Sequence, residues 1–249
     1  MKILLGLMAL LLSLHAEEVY ATIVVNASQK ANLAFDTSGI VHNVHTDISS
    51  VVKKGTVLAE LKNDDLKASL RIAKASLISA KVTLKFSKRD YERQLKVKHL
   101  IDEAKFDAYA LAYETAQAAV QQAEANLAYK QTLLSKTKLR APFDGIIYEK
   151  NIEIGDTVSG MMLRTVFKIQ SLSQRKLVLS FDQKYWKRVK KGQEFKYGVD
   201  GDEDRYTGRI SKVYPSATTS NRKIQAEVLA EKFTVGLIGE GYILVPDKK

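Results

Sequence analysis

The most regular pattern of apolar and polar positions runs through residues 64–137, which contain no glycine or proline and are rich in strong helix formers. Mostly apolar or small side chains recur there at intervals that alternate between four and three residues, in two separate series. The series are Leu66, Leu70, Ala73, Leu77, Ala80, Leu84, Ser87 and Tyr91, and then Tyr109, Tyr113, Ala116, Val120, Ala123, Leu127, Lys130 and Leu134. This heptad spacing favours a coiled-coil pair of helices over one broad amphipathic face.

The helical pattern breaks at residues 97–102, which read VKHLID. Asp102 precedes Glu103 and Lys105, so its carboxylate can cap the free N–H groups at the start of a second helix. We therefore predict two antiparallel helices of about 35 residues, each roughly 50 Å long. A helical bundle is the alternative, but it needs further long helices, and the rest of the sequence offers none.

Two glycine-punctuated segments flank the helical stretch and resemble one another. Residues 34–62 contain Gly39-Ile40-Val41 and later Gly55-Thr56-Val57, and residues 143–169 contain Gly145-Ile146-Ile147 and later Gly155-Asp156-Thr157-Val158. Glycine suits the positive-φ positions of tight turns, and the alternation of apolar and polar residues is typical of short strands. The repeat predicts one small β-sandwich whose two halves are separated by the helical pair.

The C-terminal third changes to short alternating runs separated by turn-forming residues. We predict strands in residues 177–183, 194–200, 205–215 and 224–231, and one short helix in residues 184–193 that ends near Gly192. The acidic residues Asp200, Asp202, Glu203 and Asp204 surround Gly201 without the spacing of a calcium loop, which indicates a hairpin turn.

Residues 1–16, MKILLGLMALLLSLHA, have the pattern of a cleaved signal peptide. Lys2 gives a positive start, an apolar run of 12 residues follows from Ile3 to Leu14, and Ala16 is a small residue at the expected cut. The run is shorter than the 20 or so residues that span a bilayer. A buried N-terminal helix is the alternative. We expect export to the periplasm of a bacterium, although a eukaryotic secretory route fits the same segment.

Composition adds few constraints on chemistry. The chain has no cysteine, which excludes disulfides and an N-terminal lipidated cysteine, and its net charge of +11 is spread along the sequence instead of clustered. A basic chain can meet nucleic acid, an anionic membrane or an acidic partner. The histidines outside the signal segment, His42, His45 and His99, lack the spacing of a metal site, and no nucleophile or phosphate-loop motif occurs. We therefore expect neither an enzyme nor a metal or cofactor site.

Residues 140–145 read RAPFDG, and the first repeat runs from SGIV to VVKKGTVLAEL. These segments, on either side of a helical insertion, resemble the periplasmic adaptor or membrane fusion proteins of tripartite efflux pumps. The resemblance implies an elongated α+β chain that folds back on itself, with a β-barrel that also takes in the strand around Val19 to Val25, a lipoyl-like sandwich and an antiparallel coiled-coil α-hairpin. The implied boundaries are 17–31 and 172–249 for the barrel, 32–63 and 139–171 for the sandwich, and 64–138 for the hairpin.

The resemblance also implies a function. Such an adaptor links an inner-membrane transporter, here expected to be of the resistance-nodulation-division class, to an outer-membrane channel, and assembles as a trimer or hexamer without nucleic acid. Longer family members continue into a membrane-proximal domain, so the end of this sequence at Lys249 leaves the contact with the transporter open. One alternative is an adaptor of an ATP-driven or type I secretion system. The other is a lipoyl or biotinyl carrier modified on a lysine, for which Lys62 lies nearest the expected place.

Channel docking in the family uses an arginine, a leucine four residues later and a serine seven residues beyond that. In this chain those positions are Tyr91, Leu95 and Asp102, so only the leucine matches, and Arg93 lies nearby at the wrong phase. The predicted docking tip comprises Tyr91, Leu95, Lys98, His99, Leu100, Asp102 and Lys105. The exported compound stays open among drugs, bile salts, dyes and metal ions.

Overall fold

The computed structural model describes residues 16–162, 164–231 and 233–246. Residues 1–15 of the predicted signal peptide lie outside the described residues. The described chain forms two compact units, one from the residues up to Lys30 together with those from Gln170 onward, and one from Ala31–Ile169. Mixed α and β structure, as predicted, is confirmed.

Fourteen strands and two long helices make up the described chain. The strands are β1 (Ala16–Ala27), β2 (Lys30–Leu33), β3 (Gly39–Val44), β4 (Val51–Val52), β5 (Val57–Leu61), β6 (Lys138–Arg140), β7 (Gly145–Lys150), β8 (Thr157–Val158), β9 (Phe167–Ser171), β10 (Arg175–Asp182), β11 (Glu194–Val199), β12 (Tyr206–Thr218), β13 (Lys223–Ala230) and β14 (Ile238–Pro246). The helices are α1 (Asp64–Lys96) and α2 (Glu103–Lys136), and short 3₁₀ turns lie at Lys98–Leu100 and Gln183–Tyr185.

The first unit is a closed antiparallel barrel with the strand order β1-β10-β13-β12-β11-β14. Alternate residues of each strand fill its interior, as Leu177, Leu179 and Phe181 do along β10. Closure leaves no strand edge of the sheet open to another chain. The predicted C-terminal strands and the participation of the N-terminal strand are confirmed, since β1 pairs with both β10 and β14.

The acidic segment after β11 is the predicted hairpin turn, because β11 and β12 pair antiparallel on either side of it. Asp202 accepts hydrogen bonds from the Tyr206 hydroxyl at 2.7 Å and from the Asp204 amide at 3.1 Å. The bond from Tyr206 lowers the pKa of the Asp202 carboxyl, and the same bond raises the pKa of Tyr206 to about 12. The Asp202 carboxylate therefore stabilises the turn.

The predicted helix in residues 184–193 is wrong. Only Gln183–Tyr185 form a 3₁₀ turn, and the following residues continue as turns and irregular chain up to β11. Tyr185 and Val189 pack against the barrel core, and their i,i+4 spacing produced the helical pattern in the sequence. The Gln193 side chain bonds the backbone at both Arg188 and Lys190, which competes with helical hydrogen bonding.

The second unit contains two four-stranded sheets, β2-β9-β7-β4 and β6-β5-β3-β8, around one hydrophobic core. Gly39 lies opposite Val158 where β3 pairs with β8, and Gly145 lies opposite Val52 where β7 pairs with β4. Each half of the repeat thus pairs with a strand of the other half. The prediction that the two repeats form one β module is confirmed.

The phase predicted for the repeat needs one correction. Ser49, and not Gly55, is the counterpart of Gly155, because the spacing that separates Gly39 from Gly145 also separates these two residues. The Ser49 amide donates to the Ile147 carbonyl at 2.8 Å, and the Gly155 amide donates to the Val41 carbonyl at 2.9 Å. Both residues have positive φ, 69° for Ser49 and 95° for Gly155. Because Ser49 adopts this conformation without being glycine, the sequence pattern concealed it.

The helices α1 and α2, of 33 and 34 residues, follow β5 and return the chain to β6. All sixteen predicted seam positions are buried or half-buried. An ion pair of 3.0 Å joins Lys81 on α1 to Glu124 on α2. At the opposite end from the turn, the buried Asn63 amide donates to Thr137 at 3.0 Å and ties the two helix ends together. Neither these helices nor any shorter one in the described ranges has the length and apolarity that a membrane span requires.

Candidate functional site at the tip of the helix pair

The connection between the two helices is a tight turn held by its own backbone. The Val97 amide donates to Gln94 at 3.1 Å as α1 ends, and the Leu100 amide donates to Val97 at 2.8 Å in the 3₁₀ turn. The Asp102 carboxylate accepts from the Lys105 amide at 3.3 Å, which confirms the predicted cap of the second helix. The break predicted at residues 97–102 is therefore where the chain reverses.

Three aromatic rings pack beneath this turn. Tyr91 stacks on Tyr113 with ring centroids 5.3 Å apart and contacts Phe106 at 5.6 Å. Phe106 is only 7% exposed, and the Lys98 ammonium lies 4.6 Å from its ring centroid. Tyr91, Phe106 and Tyr113, which we call the tip aromatic cluster, join the last turns of α1 to the first turns of α2. Phe106 was missed by the sequence analysis, although extending the second seam series back by three residues from Tyr109 reaches it.

The outer surface of the turn presents aliphatic side chains with a rim of basic residues. Leu95 is 49% exposed and Leu100 is 73% exposed, and the exposed Val97, which is outside the predicted docking set, lies between them. Lys98, His99 and Lys105 are exposed around them. We call the residues from Leu95 to Lys105 the hairpin tip. An exposed aliphatic group with a polar rim suits docking against another helical surface, where water is excluded from the centre.

The family's docking positions have different environments in this chain. Tyr91 points into the tip aromatic cluster and is half-buried, so of the predicted tip residues it alone faces the seam. Leu95 lies one residue beyond the position that would continue the heptad spacing after Tyr91, and its side chain is exposed. Asp102 serves as a helix cap. Arg93 pairs with Asp90 on its own helix.

The other residues singled out in the sequence lie apart from the tip. His42 is exposed on β3, and the His45 imidazole lies 4.0 Å from the Glu60 carboxylate. Lys62 is exposed between β5 and α1. Within the described ranges, no three or more histidine, aspartate or glutamate side chains are grouped as a metal site requires.

A family model described as the CzcB-like, barrel-sandwich hybrid domain matches residues 29–170. The cobalt-zinc-cadmium resistance protein CzcB of Cupriavidus metallidurans is 28% identical over 211 residues, which cover 82% of this chain and 39% of that protein. The multidrug resistance protein MdtA of Escherichia coli is 26% identical over 137 residues, covering 54% of this chain and 33% of MdtA. This chain thus spans about two fifths of the length of CzcB and a third of MdtA.

Solved structures give the same fold. MacA from Actinobacillus actinomycetemcomitans superposes with a TM-score of 0.80 at 23% identity, covering 94% of this chain and 80% of that chain. A MacA–MexA chimera that contains the Pseudomonas aeruginosa MexA α-hairpin domain gives a TM-score of 0.72 at 24% identity, covering 94% and 83%. The family match extends over more than half of the sequence and includes both β repeats and both helices. The chain therefore belongs to the CzcB-like barrel-sandwich hybrid family of periplasmic adaptor, or membrane fusion, proteins.

Proposed function

We propose that this protein is a non-enzymatic periplasmic adaptor that links an inner-membrane efflux transporter to an outer-membrane channel and forms part of a sealed export duct. One observation carries the proposal: a single β module, built from two interleaved chain halves, has a pair of helices of roughly 50 Å inserted between β5 and β6. An insertion of this length extends far beyond the module's own core, so its distal end is available to a partner. Membership of the adaptor family supports this interpretation.

The finer architecture follows from the same observation. The interleaved sheets are a lipoyl-like sandwich formed by residues 32–63 and 139–171, the helices are a coiled-coil hairpin over residues 64–138, and residues 17–31 and 172–249 form the barrel domain. Support comes from the buried seam and from the pairing of β3 with β8 and of β4 with β7. Residues 1–16 act as a cleaved signal peptide that delivers the protein to the periplasm.

The hairpin tip is the proposed contact with the outer-membrane channel. Leu95 and Leu100 provide the apolar centre, and Lys98, His99 and Lys105 provide the rim, while Asp102 fixes the turn that presents them. Tyr91 contributes indirectly, because its ring supports the turn from below. Since only the leucine of the family's docking residues is kept, the partner channel should carry a complementary surface different from that of the family's usual channels.

The assembly proposed for this adaptor is a ring of three or six copies around the duct, with a transporter of the resistance-nodulation-division class in the inner membrane. The relatives CzcB and MdtA are named for resistance to cobalt, zinc and cadmium and for multidrug resistance, respectively. We extend to this protein only the general role in resistance by export.

The variant Leu95→Asp tests the docking assignment. Burial of a leucine side chain contributes about 1.5–3 kcal/mol, and an unpaired buried carboxylate adds a further penalty. We therefore expect at least about a thirtyfold loss of affinity for the channel and loss of export in a strain that depends on this adaptor. Secretion, folding and helix content should not change, because Leu95 makes no core contact.

The matched control is Ile72→Asp, which makes the same kind of substitution on the same helix at a side chain that is 71% exposed. Ile72 lies roughly 35 Å from the tip along α1, so export should persist. Site-specific crosslinking from position 100 to the channel, scored in both variants, separates a docking defect from a general assembly defect. Normal export by Leu95→Asp, with crosslinks retained, would contradict the assignment of the tip.

A further inference from the structure

The loop between β10 and β11, residues 183–193, is fixed firmly to one end of the barrel. Val189 is only 3% exposed and packs in the barrel core with Tyr185 beside it. The Val189 amide donates to the Tyr185 carbonyl at 3.0 Å, and the Lys184 amide donates to the Asp182 carboxylate at 2.8 Å. The loop is therefore a defined surface with its apolar anchors turned inward.

Arg188 attaches the centre of this loop to the first and last strands of the barrel. Its guanidinium pairs with Glu17 on β1 and donates to the Pro246 carbonyl on β14 at 2.8 Å. The Gln193 side chain donates to the Arg188 carbonyl at 2.8 Å. The loop thus lies at the barrel end where β1 begins, directly after the apolar run of residues 3–14.

Trp186 projects from this fixed loop into solvent. It is 62% exposed and is the single tryptophan of the sequence. The Lys187 ammonium lies 5.1 Å from its ring centroid, and a pocket of about 480 Å³ beside it is lined in part by Pro215, Ala217 and Ile224. A tryptophan with one apolar face and a polar N–H is suited to the boundary between lipid headgroups and acyl chains.

The loop that carries Trp186 is rich in cations. The exposed side chains are those of Lys184, Lys187, Lys190 and Lys191, and Arg222 joins them because its carbonyl accepts from the Gln183 amide at 3.0 Å. Two acidic residues beside the loop are already engaged, Asp182 with the Lys184 amide and Glu17 with Arg188. The loop therefore carries a local excess of positive charge that is not visible in the evenly spread charge of the whole sequence.

We propose that this basic–aromatic loop, residues 183–193 with Arg222, docks on the anionic phospholipid headgroups of a membrane surface. The four lysines are mobile point charges, which suit a diffuse anionic surface. Arginine, with its planar guanidinium, would favour a specific acidic site on a protein, but the arginine of this loop is already bonded within the barrel. The inference goes beyond the export duct, since it needs neither transporter nor channel.

The single tryptophan makes the test direct. The exported protein is mixed with vesicles of phosphatidylcholine alone or of phosphatidylcholine with phosphatidylglycerol, and both sedimentation and the emission of Trp186 are recorded. We expect binding and a blue shift only with the anionic vesicles, quenching of Trp186 by brominated acyl chains, and reversal by high salt. Each lysine near an anionic surface contributes about a fivefold change in partitioning.

The quadruple variant with Lys184, Lys187, Lys190 and Lys191 each replaced by Gln should therefore lose vesicle binding by several hundredfold, on the order of the product of four such factors. The matched control replaces four exposed lysines of helix α1, Lys67, Lys74, Lys85 and Lys88, by Gln and should bind nearly as the parent does. Equal loss in both variants would show that only overall charge matters, and would overturn the proposal. Failure of the parent protein to bind anionic vesicles would also overturn the proposal. In cells, crosslinking of position 186 to a transporter protein and not to lipid would overturn it as well. Because this assay contains no channel, its result is independent of the outcome for Leu95→Asp.

Discussion

The tip aromatic cluster should hold the distal turn of the helix pair closed, and Phe106→Ala is the most direct perturbation of it. Phe106 is the most buried of the three rings and contacts Tyr91 at 5.6 Å and the Lys98 ammonium at 4.6 Å. Its removal leaves the Tyr91 ring with one side of its contact surface open to water. The stacked tyrosine pair stays, so the helices should fray from the turn inward instead of separating along their length.

The magnitude follows from burial. Truncation of a fully packed phenylalanine costs about 3–5 kcal/mol, and Phe106 lies between two helices and not inside a globular core, so we take the lower limit of about 3 kcal/mol. At about 1.4 kcal/mol per tenfold change, the opening equilibrium of the turn should rise by roughly two orders of magnitude. The matched substitution Phe106→Leu keeps an apolar side chain of similar volume and should cost about 1 kcal/mol.

Hydrogen exchange followed by mass spectrometry measures this locally. Amides of residues 94–108 should exchange about a hundredfold faster in Phe106→Ala, while amides in the barrel strands and in residues 64–80 should keep their protection. Unchanged exchange at residues 94–108 would refute a supporting role for the cluster. Equal acceleration along both helices would refute the local model, because it would mean that the helix pair opens as one unit.

Two further changes test the β module. The Lys138 ammonium, 3.0 Å from the Glu60 carboxylate, lowers the pKa of that carboxyl in the folded state. The ion pair between Lys138 and Glu60 therefore stabilises the fold fully at pH values above the ordinary pKa of a glutamate carboxyl. This stabilisation is lost as the pH falls through the lowered pKa of Glu60 in the folded state. In urea titrations, Glu60→Gln should be less stable by about 1 kcal/mol near neutral pH and should converge with the parent in acid; a constant difference at all pH values would contradict the pair. Gly155→Ser should destabilise by about 1 kcal/mol and Ser49→Gly should stabilise by up to about 0.5 kcal/mol, because both positions have positive φ; the opposite order in thermal melts would exclude their equivalence.

Much of the fold was predictable because its signals are local. The helix pair follows from a seam that any paired helix must bury, and the cap at Asp102 follows from the need to satisfy free N–H groups. The repeat was visible in Gly39 and Gly145, where strands begin. The exact alignment of the two repeats was not predictable. Ser49 adopts a left-handed backbone conformation, which a sequence indicates only where the residue is glycine.

The misassigned loop at residues 184–193 and the overlooked Phe106 have a common physical cause. In both places, one apolar contact depends on a partner that is distant in sequence. Tyr185 and Val189 are spaced like a helix, yet their partner is the barrel core. Phe106 precedes the series from which the seam was read, and its partner is Tyr91 across the turn. Local periodicity in the sequence indicates that such residues are buried, but it does not identify the residues that they pack against.

The distribution of side-chain size along the helix pair relates its stability to its proposed use. Ala73, Ala116 and Ala123 are buried on the seam, and alanine permits close approach of two helices while burying little apolar area per turn. The largest buried groups lie at the distal end, in the tip aromatic cluster, and the buried bond from Asn63 to Thr137 closes the proximal end. A pair fixed at both ends with a lightly packed middle can bend along its length without changing the geometry of its tip. In the proposed adaptor, this combination would let the helix pair bend while Leu95 and Leu100 stay presented to the channel.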